Sequence, residues 1–166
     1  TDNLNYSRYY VKRLMAEQLV DAVSQVTGVA EEYRDHVPGT RAMTIAAGAP
    51  SYFLETFGRL KERDKIAERE TQTNIAQTMH LISGNTIHDK ITAEGGTLDR
   101  WLADASMSDA EIVRRLFLVS LVRSPTEPEL SLALPPVRSE SPTARRQAFE
   151  DTLWAILNSK EFLFNH

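Results

Sequence analysis

The C-terminal block, residues 149–166, sets the strongest condition on any fold this chain can adopt. Phe149, Leu153, Ile156 and Leu157 recur at helical spacing, Asn158 and Ser159 interrupt the run, and Phe162, Leu163 and Phe164 follow within one turn. An amphipathic helix succeeded by so apolar a tail must bury both, on its own domain or on a partner. Trp154, Phe162 and Phe164 are therefore the candidate partner-binding residues, with packing in the domain's own core as the commoner use of such a cluster.

Upstream, the punctuation is helical as well. Residues 9–27 read as a helix with Leu14, Leu19, Val23 and Val26 on one face, Met15 and Ala22 beside them, and Gly28 where a left-handed cap would end it. Residues 29–70 read as irregular, broken by Pro38, Gly39, Gly48, Pro50 and Gly58. Thr73 opens a helix through Ile75, Ala76, Met79 and Ile82 that Gly84 ends; residues 85–92 give a further helical piece before Gly95 and Gly96. Thr97 caps a short helix carrying Leu98, Trp101 and Leu102. Ser108 with Glu111, and Thr126 with Glu129, have the spacing of capping boxes, the first opening a helix through Ile112, Val113, Leu116 and Phe117. Residues 134–142, rich in proline, read as an internal linker-like loop, and Pro142 suits the first turn of the last helix. Alternating β-branched patterns are nearly absent. The expected fold is mainly α: a compact bundle of about seven short helices with an irregular 29–70 segment, a single helical domain over 1–166.

Composition removes several function classes. The chain has 166 residues and a net charge of −4, which disfavours a nucleic-acid partner because phosphate binding needs a concentrated basic face. Arg114 with Arg115, and Arg145 with Arg146, then read as solvated helix faces. There is no cysteine, so disulfides, thiolate metal sites, a cysteine nucleophile and covalent c-type haem attachment within the chain are excluded. No apolar run approaches the ~20 residues of a membrane span. The N-terminus lacks an initiator methionine and the basic-then-apolar order of a leader, so the chain reads as a fragment or processed piece of a longer one.

Few residues suggest chemistry. His80 and His88 straddle Gly84 at a separation that lacks the i, i+4 geometry of a helical metal pair, so no metal and no cofactor is expected. Glu17 and Asp21 are one turn apart, but glycoside chemistry needs an opposed carboxylate that nothing identifies, and an Arg13–Glu17 ion pair is the better use. Arg59, Glu68 and Arg69, late in the irregular stretch and within motifs shared with the family that the chain resembles (below), are the candidate site, either clamping a loop, which is favoured, or binding an anion. Ser51 and Ser83 have no visible His and Asp companions, and Gly95 with Gly96 is too little for a phosphate cradle. No catalytic residue is assigned.

Several blocks in order carry a resemblance: residues 13–28, then Pro38 to Ala42, Ser51 to Leu54 with Phe57, Gly58 and Arg59, Asn85 to Lys90, Arg123 to Thr126, and the terminal block. Together they resemble a domain family of unknown function at the C-terminus of large secreted planctomycete-type proteins, often in one chain with a cytochrome-like domain. One departure stands out. Where many relatives carry a Cys-Glu-Cys-Glu-Arg run, this chain has Lys65, Ile66, Ala67, Glu68 and Arg69, so no thiol chemistry transfers. The resemblance implies an extracytoplasmic location and protein partners, among them a cytochrome or membrane-associated complex. The expected function is a non-enzymatic accessory module, with an accessory domain of a hydrolase or carbohydrate-processing enzyme as the alternative.

Overall fold

The computed structural model describes residues 12–45, Leu54, 85–137 and 141–165. The architecture is a helical bundle. A two-residue strand, β1 (Lys12–Arg13), leads into α1 (Ala16–Thr27), and a 3-10 turn follows at Ala42–Thr44. After these come α2 (Asn85–Thr92), α3 (Thr97–Ala103), α4 (Asp109–Leu121), α5 (Glu127–Val137), α6 (Pro142–Leu157), the one-turn α7 (Lys160–Leu163) and β2 (Phe164–Asn165).

The caps explain where the helices begin and end. Ser108, Ser141 and Ser159 each accept an N–H from three residues on, at Glu111, Ala144 and Phe162, which satisfies one otherwise orphaned donor per helix. Thr126 and Glu129 close a full capping box, each side chain taking the other's backbone N–H at 3.5 and 2.7 Å. Pro142 occupies the first turn of α6, where its missing N–H costs nothing. Gly28 ends α1 with φ +70°, and a Cβ there would stand 2.6 Å from Thr97 Oγ1. Glycine is thus required twice over, by the left-handed turn and by the close approach of α3.

Helix α6 lies at the centre. Its stripe of Phe149, Leu153, Ile156 and Leu157 is buried, and it packs against α2, α3, α4, α5 and α7. The same core holds Ile87 and Ile91 of α2 and Ile112, Leu116 and Phe117 of α4, and α1 adds Leu19, Val20 and Val23 to it from the far side, packing on α2, α3 and α4. Phe162 is 6% exposed and Leu163 9%; the tail folds back onto its own domain. There β1 and β2 pair antiparallel, Lys12 opposite Asn165 and Arg13 opposite Phe164, and Leu14 N–H donates to Leu163 C=O.

Three sequence expectations change. The first helix starts at Ala16 rather than in the 9–15 stretch, because the backbone of residues 12–14 bonds to the terminal segment and Gln18 Oε1 accepts the N–H of Met15 at the new N-terminus. The linker-like 134–142 stretch is shorter than expected: α5 runs on to Val137, with Leu130, Ala133 and Leu134 packed on the core. Packing outweighs the N–H groups that Pro135 and Pro136 lack. Thr97 is the first residue of α3, and Gly96 is its N-cap. The helix expected over Thr73 to Ile82 lies outside the described residues.

One cap is strained. Val122 closes α4 with φ +57° and is 85% exposed. A β-branched residue in the left-handed region is held at a cost that glycine avoids. Val122→Gly should therefore raise stability by about 0.5–1 kcal/mol after the extra flexibility of the unfolded chain is allowed for, read as a higher urea midpoint at unchanged slope. Phe162→Ala should act in the opposite sense, lowering stability by about 3–5 kcal/mol. A midpoint equal to the parent's would mean that the Phe162 ring contributes no packing.

Candidate functional site

The polar framework that shapes the surface is built on arginines. Arg123, just beyond α4, donates Nε and Nη2 to the two oxygens of Glu161 at 2.6 and 2.7 Å. It also donates Nη1 and Nη2 to those of Glu129 at 2.9 and 2.8 Å. The guanidinium lies over the Phe117 ring, 5.5 Å from its centre. One cation thereby fastens the α4–α5 connection, the first turn of α5 and α7. The Arg123 side chain, with the N–H and hydroxyl of Thr126, holds the Glu129 carboxyl down to about 2, against an ordinary 4.5. Arg123 is correspondingly raised by Glu161 and Glu129.

Arg145 and Arg146 overturn the expectation of a solvated face. Arg145 donates Nε and Nη2 to Asp109 at 3.0 and 2.7 Å, tying α6 to α4. Arg146 reaches Asp99 of α3 at 2.7 Å, Glu150 at 2.8 Å and the Thr92 carbonyl at 3.3 Å. Asp99 is lowered by the Gly95 N–H first and Arg146 second. Arg114 remains exposed, and Arg115 pairs with Glu111 one turn before it.

Among the described residues, two openings bear on the site. The larger, of about 590 Å³, runs between the outer face of α1 and the returning loop, with Gln18, Asp21, Gln25, Glu31 and Arg41 on its walls. That loop is held in place from both ends. Asp21 accepts the Ala42 and Met43 N–H groups at 2.7 and 3.2 Å. Lys90, buried, donates to the Val29 carbonyl at 2.9 Å and pairs with Glu31 at 3.1 Å. Asp21 is thus an anchor for backbone, not half of a carboxylate pair. Arg13 lies on β1, so the helical Arg13–Glu17 spacing is not formed.

The second opening is an apolar groove of about 420 Å³ between α5 and α6. Phe117 and Ile156 border it, Ala148, Thr152 and Ala155 give one wall, and Leu132 with Ala133 gives the other. Leu132 is 79% exposed. Ala148, Thr152 and Ala155 fall on one face of α6, beside its core stripe. Sequence reasoning missed this face because alanines and a threonine carry no chemical signature; their i, i+4, i+7 spacing was the only available signal.

Of the residues singled out from sequence, Phe162 is buried in the domain's own core, Phe164 is half-buried beside it, and Trp154 is half-buried on α6. Phe162 is accordingly not available to a partner, because its ring is already covered. Arg59, Glu68, Arg69 and His80 lie outside the described residues, while His88 is exposed. Among the described residues no three metal-ligating side chains converge, and no helix is long and apolar enough to cross a membrane. The shifted carboxyls all move downward, Asp104 through the Ser106 hydroxyl and N–H, Asp99 through the Gly95 N–H and then Arg146, and Glu129 through Arg123, the direction opposite to a raised general acid. No protein-family model, curated protein or solved structure matches the chain.

The Arg123 network makes a pH-dependent contribution. A carboxyl lowered in the folded state stabilises fully above its unfolded value, and that contribution is lost as pH falls through the folded one. For Glu129 the window runs from about 4.5 down to about 2. Each of the three side chains is a third or so exposed, so screening limits the total. Arg123→Met should cost about 1–2 kcal/mol at pH 7. The stability gap between the parent and Glu129→Gln, measured by urea unfolding at pH 7, 4 and 2.5, should close on acidification. A constant gap would assign the loss to packing.

Proposed function

We propose that this chain is a non-enzymatic interaction module, an accessory part of an extracytoplasmic assembly that contains a cytochrome. The observation that supports interaction is the apolar groove between α5 and α6. An opening of this size, flanked by an aliphatic side chain as exposed as Leu132, leaves apolar surface wet that a bound partner would cover. The groove sits on a rigid frame: α6 at the core of the bundle and α5 fastened through Glu129. A docking surface on preorganised elements spends little binding energy on ordering. The resemblance to planctomycete-type secreted proteins supports the extracytoplasmic placement and the cytochrome-containing neighbour.

The test is a photo-crosslinking residue at position 155 in the native host, with position 94, exposed and away from the groove, as the control. One protein should be captured from 155 and not from 94, and Ala148→Trp, which fills the groove, should abolish capture while the helical spectrum is retained. Equal capture from both positions, or capture indifferent to Ala148→Trp, would overturn the reading.

A further inference from the structure

The break between α6 and α7 is one torsion wide. Asn158 still belongs to the helix by its hydrogen bond: its N–H reaches the Trp154 carbonyl at 3.1 Å, and its φ of −94° and ψ of 1° lie beside the helical region. Ser159 has a helical φ of −71° but an extended ψ of 152°, and Lys160 already begins α7. Returning the Ser159 ψ to a helical value, with a small adjustment at Asn158, would join the two into one helix from Pro142 to Leu163. The Lys160 and Glu161 N–H groups, the first donors of α7 and without acceptors inside it, would then face the Ile156 and Leu157 carbonyls.

Against straightening stand the Ser159 cap, whose Oγ accepts the Phe162 N–H at 3.2 Å, and the seat that the tail occupies. In that seat β2 pairs with β1, Leu14 N–H donates to Leu163 C=O, Arg123 binds Glu161 at 2.6 and 2.7 Å, and Phe162 and Leu163 are buried. A straightened hinge lifts the tail away from its own seat. It leaves two surfaces that still fit each other, the apolar turn on one side and the edge of β1 with Arg123 on the other. A second opened copy carries the same two surfaces.

From this geometry we infer that Ser159 is a hinge through which residues 160–165 exchange between two copies of the chain, each tail filling the other copy's seat in a symmetric dimer. Phe162 and Leu163 are covered in both arrangements. The closed and exchanged forms share the contacts of the seat and differ at residues 158–160, so changes at the hinge decide between them. The inference does not rest on the α5–α6 groove.

The full chain is refolded from urea at a series of protein concentrations and sized by sedimentation. The parent should give a monomer together with a slowly exchanging dimer whose share grows with concentration. Ser159→Ala, which removes the cap and favours continuous helix, should raise the dimerisation constant by about tenfold. Lys160→Pro should give folded monomer alone. Proline suits the first position of α7 behind an extended Ser159, and it cannot sit inside the joined helix. Arg123→Glu and Glu161→Arg each oppose like charges within one chain. Refolded together, the two should form a mixed dimer in which each tail meets the opposite charge on the other copy. A parent that stays monomeric at every concentration, a dimer that Lys160→Pro leaves intact, an unchanged constant for Ser159→Ala, or no mixed dimer from the charge variants would each overturn the inference.

Discussion

Burial of the α6 stripe is the constraint on which the other elements depend. Phe149, Leu153, Ile156 and Leu157 are covered by side chains from helices distant in sequence, and each such residue is worth about 1.5–3 kcal/mol when removed from water. The flanking helices are short, and helices of 7–13 residues are marginal in isolation. Their persistence therefore comes from laying an apolar face on α6 or on a neighbour that does so. Polar fastenings come second in energy and first in direction. Arg145 and Arg146 orient the N-terminal half of α6 against α4 and α3, and Arg123 orients the far end through α5 and α7.

What was legible in the sequence was local. The caps at Ser108 and Thr126, the first-turn Pro142, the left-handed stop at Gly28 and the interruption at Asn158 and Ser159 depend on residues within one turn, so spacing alone locates them. The buried stripes of α4 and α6 were legible because a 3.6-residue period survives any change of partner. The start of α1 was not. Residues 12–14 are held by residues 163–165, at the other end of the sequence, and a pairing that distant leaves no local trace. The same blindness covered Arg145 and Arg146: two adjacent arginines on a polar helix face look alike whether they meet solvent or Asp109 and Asp99. Asp21, which holds the backbone of Ala42 and Met43, was legible only as half of a helical carboxylate pair.

The proline stretch gives the opposite lesson. Pro135 and Pro136 argued for a loop, yet the helical backbone continues through them to Val137. Pro135 and Pro136 leave the Ser131 and Leu132 carbonyls without their helical donors, a cost confined to the last turns, and Leu134 just before them packs against the core. Local preference yielded to burial.

The groove follows from the same economy of contacts. At the N-terminal turn of α5, Glu129 is drawn to Arg123, which Glu161 holds in turn, so the position of α5 is set by the α4–α5 connection and the tail rather than by α6 alone. Along α6, the face beside the core stripe offers Ala148, Thr152 and Ala155, which are too short to fill the space that remains. A leucine at 148 or 155 would close that space within the chain. Leu132, the large side chain at this margin, is 79% exposed instead of filling it. Val122 repeats the pattern nearby in sequence, an exposed aliphatic side chain kept in a backbone conformation that glycine would occupy without strain. Leu132 and Val122 are the most exposed of several aliphatic side chains left wet, and Val122 lies on strained backbone where the connection that Arg123 fastens begins. On the reading proposed above, a partner seated in the groove would cover Leu132 and the short side chains of α6 in one contact.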